Sequence, residues 1–102
     1  MLGNASFGMS NMITKKFKLD NSHGLHTRAA DTFVKCASRH ASDIKIRYKD
    51  RCANGKSILA VLTLGAGKES EIELVIEGKD EVTALNELSE LIEKRFHERD
   101  KN

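Results

Sequence analysis

The part of the chain best equipped for chemistry is the ten-residue segment Asn21–Ala30, which reads NSHGLHTRAA. His26 stands where a helical pattern begins, and Arg28 follows two residues later. A neutral imidazole is a nucleophile near neutral pH. The first backbone N–H groups of a helix, here those of Thr27 and Arg28, can receive phosphate oxygens, and a guanidinium adds a planar fork for the same oxygens. The segment therefore predicts reversible phosphoryl transfer through His26, with Arg28 stabilising the phosphoryl group.

Other kinds of chemistry are poorly represented in the sequence. We find no cluster of metal-binding carboxylates, no phosphate-binding glycine loop and no base paired with a nucleophile. His23 and His26 together would supply only two ligands, which make a poor metal site. We therefore expect no cofactor and no metal, and a carrier rather than an enzyme. The remaining histidines, His23, His40 and His97, are expected to be solvated.

Four segments around the candidate site are predicted to be strands. Residues 13–19, 43–49 and 71–77 alternate apolar and polar side chains, as half-buried strands do. A tight turn at residues 49–50 leads into a short strand at 51–53. Gly78 ends the last strand.

Three helices complete the pattern. The first begins just after His26, the second is capped by Ser57 and stopped by Gly65, and Asp80 can cap the third. Their predicted apolar faces are Ala30, Phe33, Val34 and Ala37 for the first, and Val82, Leu85, Leu88, Ile92 and Phe96 for the third. The order β-α-β-β-α-β-α does not alternate strictly, which predicts an α+β fold with an antiparallel sheet.

Length and charge limit the other possibilities. The chain has 102 residues, room for one domain, and a formal net charge of +2 that does not indicate nucleic acid. No stretch approaches the roughly 18 apolar residues of a membrane span, and the first residues lack the charged n-region and long apolar core that are typical of a signal peptide. Cys36 and Cys52 match neither a CxxC nor a zinc pattern, which favours reduced thiols. We expect a cytoplasmic monomer that binds neither nucleic acid nor membrane.

The chain is predicted to divide into three parts. Residues 1–11 carry no charge and no periodicity, and we interpret them as a flexible N-terminal extension. Residues 12–98 form the domain, and residues 99–102 a C-terminal tail.

Two segments make the sequence resemble a known family. HGLHTRAADTFV and GKSILAVLTLGAGKESEIEL, with the element order, resemble HPr, the phosphocarrier of the bacterial phosphoenolpyruvate-dependent phosphotransferase system. The resemblance covers about residues 12–96. It implies an open-faced β-sandwich of four antiparallel strands with three helices on one face. It also implies that enzyme I phosphorylates His26 on Nδ1, that Arg28 assists transfer, and that an EIIA-type domain accepts the phosphoryl group.

The resemblance further implies a regulated docking surface. Ser57 matches a serine that an HPr kinase/phosphorylase modifies in many bacteria, although a serine there caps the helix whether or not it is modified. Ile58, Leu59 and Leu62 match an exposed apolar patch that docks partners, against the alternative that the core buries them.

Two positions depart from the family pattern. Ala29 stands where most members have proline, and Asp31 where they have a small residue facing the partner. These departures leave the role in sugar transport open. The alternatives are a regulatory, non-transport module of a nitrogen-related branch, or a binding partner of a transcription factor or kinase controlled through Ser57.

Overall fold

A computed structural model describes residues 12–98 of the chain. The elements are β1 (Met12–Lys18), α1 (Thr27–Ala37), β2 (Asp43–Tyr48), β3 (Arg51–Asn54), α2 (Ile58–Thr63), β4 (Glu71–Glu77), α3 (Glu81–Glu93) and a 3₁₀ turn (Arg95–His97). This order confirms the predicted β-α-β-β-α-β-α pattern. The predicted extension at 1–11 and tail at 99–102 lie outside the described residues.

The four strands form one antiparallel sheet in the order β1-β4-β2-β3. Ile76 of β4 lies opposite Ile13 of β1 and Ile44 of β2, and Leu74 lies opposite Ile46. Because side chains alternate along a strand, this register places the apolar residues on one face. The three helices cover that face, which confirms the predicted open-faced sandwich. Within residues 12–98, no helix is long and apolar enough to cross a bilayer.

The core lies between the sheet and the helices. From α1 it receives Ala29, Ala30, Phe33, Cys36 and Ala37, and from α3 Ala84, Leu88, Leu91 and Ile92. Val82, predicted on the buried face of α3, is 61% exposed. It precedes Leu91 by nine residues, about two and a half turns, and therefore faces the opposite way. That part of the prediction was wrong.

Asp80 occupies the N-cap position of α3 as predicted, but its side chain makes no capping hydrogen bond. Its carboxylate instead accepts hydrogen bonds from the Ser42 hydroxyl and from the N–H groups of Ala41 and Ser42. Glu81 Oε1 accepts a hydrogen bond from the Gly78 N–H at 3.0 Å. The position of the cap was therefore predicted correctly, but the capping hydrogen bond was not, because the loop before β2 offers the Asp80 carboxylate three donors.

Candidate functional site

The loop from β1 to α1 is fixed by contacts with the segment before β4. The Leu19 N–H donates to Ser70 O, and the Leu25 N–H donates to Ala66 O, both at 2.8 Å. Gly24 between them has φ +64°, and a β-carbon there would overlap Ala66 O and the Gly67 backbone. Because only glycine tolerates both the left-handed backbone and the close approach, Gly24 sets the direction in which the chain enters α1.

His26 is the N-cap of α1. Its backbone is extended, and its carbonyl accepts the first helical hydrogen bond from the Ala30 N–H at 2.8 Å. Its ring nitrogen Nδ1 accepts a hydrogen bond from the Arg28 N–H at 3.4 Å. The imidazole therefore folds over the helix end, where the amides of Thr27 and Arg28 precede the first intrahelical bond. The side chain is 33% exposed, which leaves the ring accessible to a partner.

The other nitrogen of His26 meets a carboxylate from the far end of the chain. Nε2 lies 2.8 Å from Glu98 Oε2, and the Glu98 side chain is only 8% exposed. Asn21 Nδ2 donates to Gly24 O at 2.8 Å and also to the Glu98 oxygens at 3.3 and 3.4 Å. The fully buried Asn21 thus ties the loop before α1 to the carboxylate that holds the imidazole.

These partners assign the tautomer of His26. A carboxylate only accepts hydrogen bonds and a backbone N–H only donates them. Nε2, which faces Glu98, therefore carries the hydrogen, and Nδ1, which faces the Arg28 N–H, carries the lone pair. The nitrogen that carries the lone pair is consequently the one directed at the positive end of α1.

Glu98 is the residue that sequence reasoning missed. It lies 72 positions from His26, after the last predicted helix. The turn that brings it back is fastened by Phe96, which is 3% exposed, and by Arg95, which donates to Asp20 O at 3.1 Å. Phe96 belongs to the predicted apolar stripe, but nothing in the sequence marks the carboxylate that follows it.

The side chains of Arg28 and His23 lie on the open side of the site. Arg28 is exposed, and its guanidinium has no hydrogen-bond or ion-pair partner within residues 12–98. The His23 ring is exposed, as predicted, and stands edge-on to the His26 ring with centroids 5.3 Å apart. Ala29 is fully buried in α1, and Asp31 forms an ion pair with Lys35 at 3.1 Å.

The predicted docking helix is α2. Ser57 is its N-cap, and the hydroxyl accepts a hydrogen bond from the Ala60 N–H at 3.2 Å, which confirms the predicted cap. Ile58 is 38% exposed and Leu59 69% exposed. Leu62 is partly buried against the core. The exposed part of the predicted patch therefore consists mainly of Ile58 and Leu59.

Fold and site together define a class: a small open-faced α+β sandwich with a partly exposed histidine at the N-terminus of its first helix. The family model described as "PTS HPr component phosphorylation site" matches residues 13–94. The chain belongs to the HPr family of phosphocarriers of the phosphotransferase system.

Individual relatives agree with this membership. The chain is 47% identical over 79 residues to phosphocarrier protein HPr of Pseudomonas aeruginosa, covering 76% of this chain and 88% of that protein. It is 44% identical to the HPr of Buchnera aphidicola, covering 79% of this chain and 95% of that one. Among solved structures, HPr-C-His from Thermoanaerobacter tengcongensis superposes with a TM-score of 0.82 at 34% identity, covering 85% of this chain and 98% of that one.

Proposed function

We propose that this protein carries a phosphoryl group on Nδ1 of His26, taking it from phosphorylated enzyme I and delivering it to an EIIA-type domain. The observation that supports the proposal is the hydrogen bonding of the ring, with Nε2 facing Glu98 at 2.8 Å and Nδ1 facing the Arg28 N–H at 3.4 Å. This arrangement places a lone pair at a helix N-terminus, where backbone donors can receive phosphoryl oxygens.

Phosphoryl transfer to His26 needs no separate base, because Nδ1 carries a lone pair and no hydrogen. The Nδ1 lone pair forms a bond to phosphorus while the bond from phosphorus to the donor breaks, and that electron pair stays with the donor. The imidazole then carries a positive charge, and its Nε2–H already faces the carboxylate of Glu98. Glu98 is therefore a positioning residue that also stabilises the charged ring, because a charge-assisted hydrogen bond is stronger than a neutral one.

The phosphoryl oxygens would meet the helix end and Arg28. The Arg28 N–H that now contacts Nδ1 and the neighbouring Thr27 N–H are directed along the helix axis, toward the incoming phosphate. The exposed guanidinium of Arg28 has no protein partner within residues 12–98 that would compete for it. It can form the two parallel hydrogen bonds that a phosphoryl group accepts.

Labelled phosphoenolpyruvate and enzyme I test the carrier function directly. We expect one acid-labile, base-stable phosphoryl group per chain, and none on His26→Ala. The matched control is His23→Ala, which removes the neighbouring exposed ring and should still accept one phosphoryl group. Label retained on His26→Ala at the level of the parent would refute the assignment. Transfer from the labelled protein to an EIIA-type domain then tests the second half of the route.

Regulation through Ser57 is the finer part of the proposal. Ser57 begins the helix that presents Ile58 and Leu59, so a phosphate on its hydroxyl would add about −1.5 to −2 charges beside the docking surface at pH 7. An apolar or acidic partner surface would then bind less well. We propose that an HPr kinase/phosphorylase phosphorylates Ser57 in the cytoplasm, where this protein would also bind enzyme I.

A further inference from the structure

A second group of reactive side chains lies at the opposite end of α1 from His26. Cys36 is on the last turn of α1, His40 is in the loop that follows, and Glu87 is on α3. A sulfur, a ring nitrogen and a carboxylate oxygen of these residues all lie within 4.8 Å of one another. His40 Nε2 is 2.9 Å from Glu87 Oε1, and Cys36 Sγ is 4.0 Å from the same oxygen.

Contacts with two carboxylates fix the orientation of the His40 ring. It is 8% exposed, so the prediction of a solvated histidine was wrong, and Cys36 is 6% exposed. The Nδ1 atom of His40 faces Asp80 Oδ2 at 3.3 Å, and Asp80 is itself fixed by Ser42. Metal-binding histidines usually donate their second N–H to a carboxylate in this manner. The other nitrogen, Nε2, faces the Glu87 carboxylate, so an incoming cation would replace the hydrogen between these two atoms and release it to solvent.

We propose that Cys36, His40 and Glu87 bind a divalent cation of the zinc type, with water as the fourth ligand. Thiolate, imidazole and carboxylate are the protein ligands of zinc, and three of them plus water make a tetrahedral site. At zinc bond lengths of about 2.0–2.3 Å, tetrahedral ligands stand roughly 3.3–3.6 Å apart. The distance from His40 Nε2 to Glu87 Oε1, 2.9 Å, is shorter than this spacing, and that from Cys36 Sγ to the same oxygen, 4.0 Å, is longer. Side-chain shifts are therefore enough to form the site.

The charges can be balanced at this site. Burial raises the pKa of the Cys36 thiol, although Arg39 lowers it in part, and the incoming cation displaces the thiol proton to solvent. The thiolate and the Glu87 carboxylate then neutralise the divalent charge. Arg39, which lies 3.8 Å from Glu87 Oε1, has a side chain that is 65% exposed. It can therefore turn into solvent and release the carboxylate to the metal.

The cation also has a route to these ligands. A surface groove of about 610 Å³ is lined by Cys36 and Glu87, which gives the entry path that a metal site needs. A bound cation would link the end of α1 and its following loop to α3. Binding to the folded state alone would raise the melting temperature in proportion to the logarithm of the metal concentration.

Cobalt titration of the full chain tests the thiolate ligand. We expect one Co²⁺ per chain, with a near-ultraviolet thiolate-to-cobalt band and the visible bands of a tetrahedral site, all removed by excess Zn²⁺. Cys36→Ser should lose the near-ultraviolet band. Cys52→Ser, which changes the exposed thiol on β3, is the matched control and should keep it. No such band in the parent, or a band that depends on Cys52, would overturn the proposal.

A second pair of variants keeps the test decisive if Cys36→Ser does not fold. Glu87 is about half exposed, so Glu87→Gln should preserve the fold. It should weaken Zn²⁺ binding at least tenfold by calorimetry, and Zn²⁺ should raise its melting temperature less than that of the parent. Glu90→Gln, which lines the same groove but lies outside the cluster, is the control and should bind as the parent does. Equal affinity in Glu87→Gln and the parent would refute the three-ligand site.

Discussion

The contact between Glu98 and His26 predicts that a residue far from the motif controls the rate of phosphoryl transfer. Glu98→Gln keeps an oxygen that can accept from Nε2 but removes its charge, whereas Glu98→Ala removes the acceptor. Both changes leave the amides of Thr27 and Arg28 in place. The two variants therefore test the carboxylate that contacts Nε2 separately from the backbone amides that would bind the phosphoryl oxygens.

The expected size of the effect follows from the geometry. A hydrogen bond to a charged group contributes about 1.5–3 kcal/mol and a neutral one about 0.5–1.5 kcal/mol. In Glu98→Gln the ring is still a charged donor and only the charge of the acceptor is lost, so the variant should remove at most about 1 kcal/mol, up to roughly a fivefold loss of rate. Glu98→Ala loses the whole bond, but His26 is 33% exposed and water replaces part of it. The lower end of the range then applies, about 1.5 kcal/mol or roughly tenfold.

Two measurements check this prediction. Rapid quench with phosphorylated enzyme I gives the transfer rate, and nitrogen-15 NMR of the ring identifies which nitrogen of His26 carries the hydrogen. We expect the parent to hold it on Nε2 and Glu98→Ala to show a mixture of tautomers. Glu93→Gln removes an exposed charge on α3 as a control and should behave as the parent. If Glu98→Ala matched the parent in both rate and tautomer, the assigned role of Glu98 would be wrong.

The remaining predictions concern four other positions. Arg28→Lys keeps the charge but loses the planar fork, so transfer to His26 should slow at least about tenfold without a change in melting temperature. Ser57→Asp keeps a capping oxygen, so it should melt no lower than the parent yet show a higher KM for enzyme I, partly restored by salt. Gly24→Ala should lower the free energy of unfolding in urea by more than the roughly 1–2 kcal/mol of a left-handed alanine, because it also overlaps the backbone near residue 66. Hydrogen bonds from the Ser42 hydroxyl and then the Ala41 amide hold the pKa of Asp80 well below its usual value. Asp80 therefore stabilises the fold above about pH 4 and loses this effect as the pH falls toward its lowered pKa, so Asp80→Asn should show a flatter acid unfolding curve.

Local patterns predicted most of the architecture because each element has one buried face. The strand at 71–77 has the predicted bounds, and the other strands agree within a residue or two. Ser57 and Gly65 bracket α2 as the capping rules predict. The errors have two causes. Asp80 serves the loop before β2, a partner distant in sequence, instead of its own helix. Val82 faces away from the buried side of α3 and is exposed.

The structure shows how the fold accommodates the two departures from the family pattern. Ala29 is fully buried and continues α1, so the helix entrance forms without the proline that would have preset it. Asp31 pairs with Lys35 one turn along α1, which offsets the charge that it adds near the site. Neither residue forms a hydrogen bond or ion pair with His26 or Glu98, so the proposed nucleophile keeps its support, and of the two only Asp31 changes the surface near it.

The limit of sequence reasoning at this site has a single physical cause. His26, the helix amides and Arg28 are close in sequence, so their spacing alone predicts that they meet. The carboxylates are supplied by tertiary packing: Glu98 reaches His26 at one end of α1, and Glu87 reaches His40 beyond the other end. Both come from the C-terminal part of the chain, whose position is fixed by burial of Leu88, Ile92 and the following 3₁₀ turn. The same packing that completes the core therefore decides which carboxylate faces a histidine nitrogen at each end of α1.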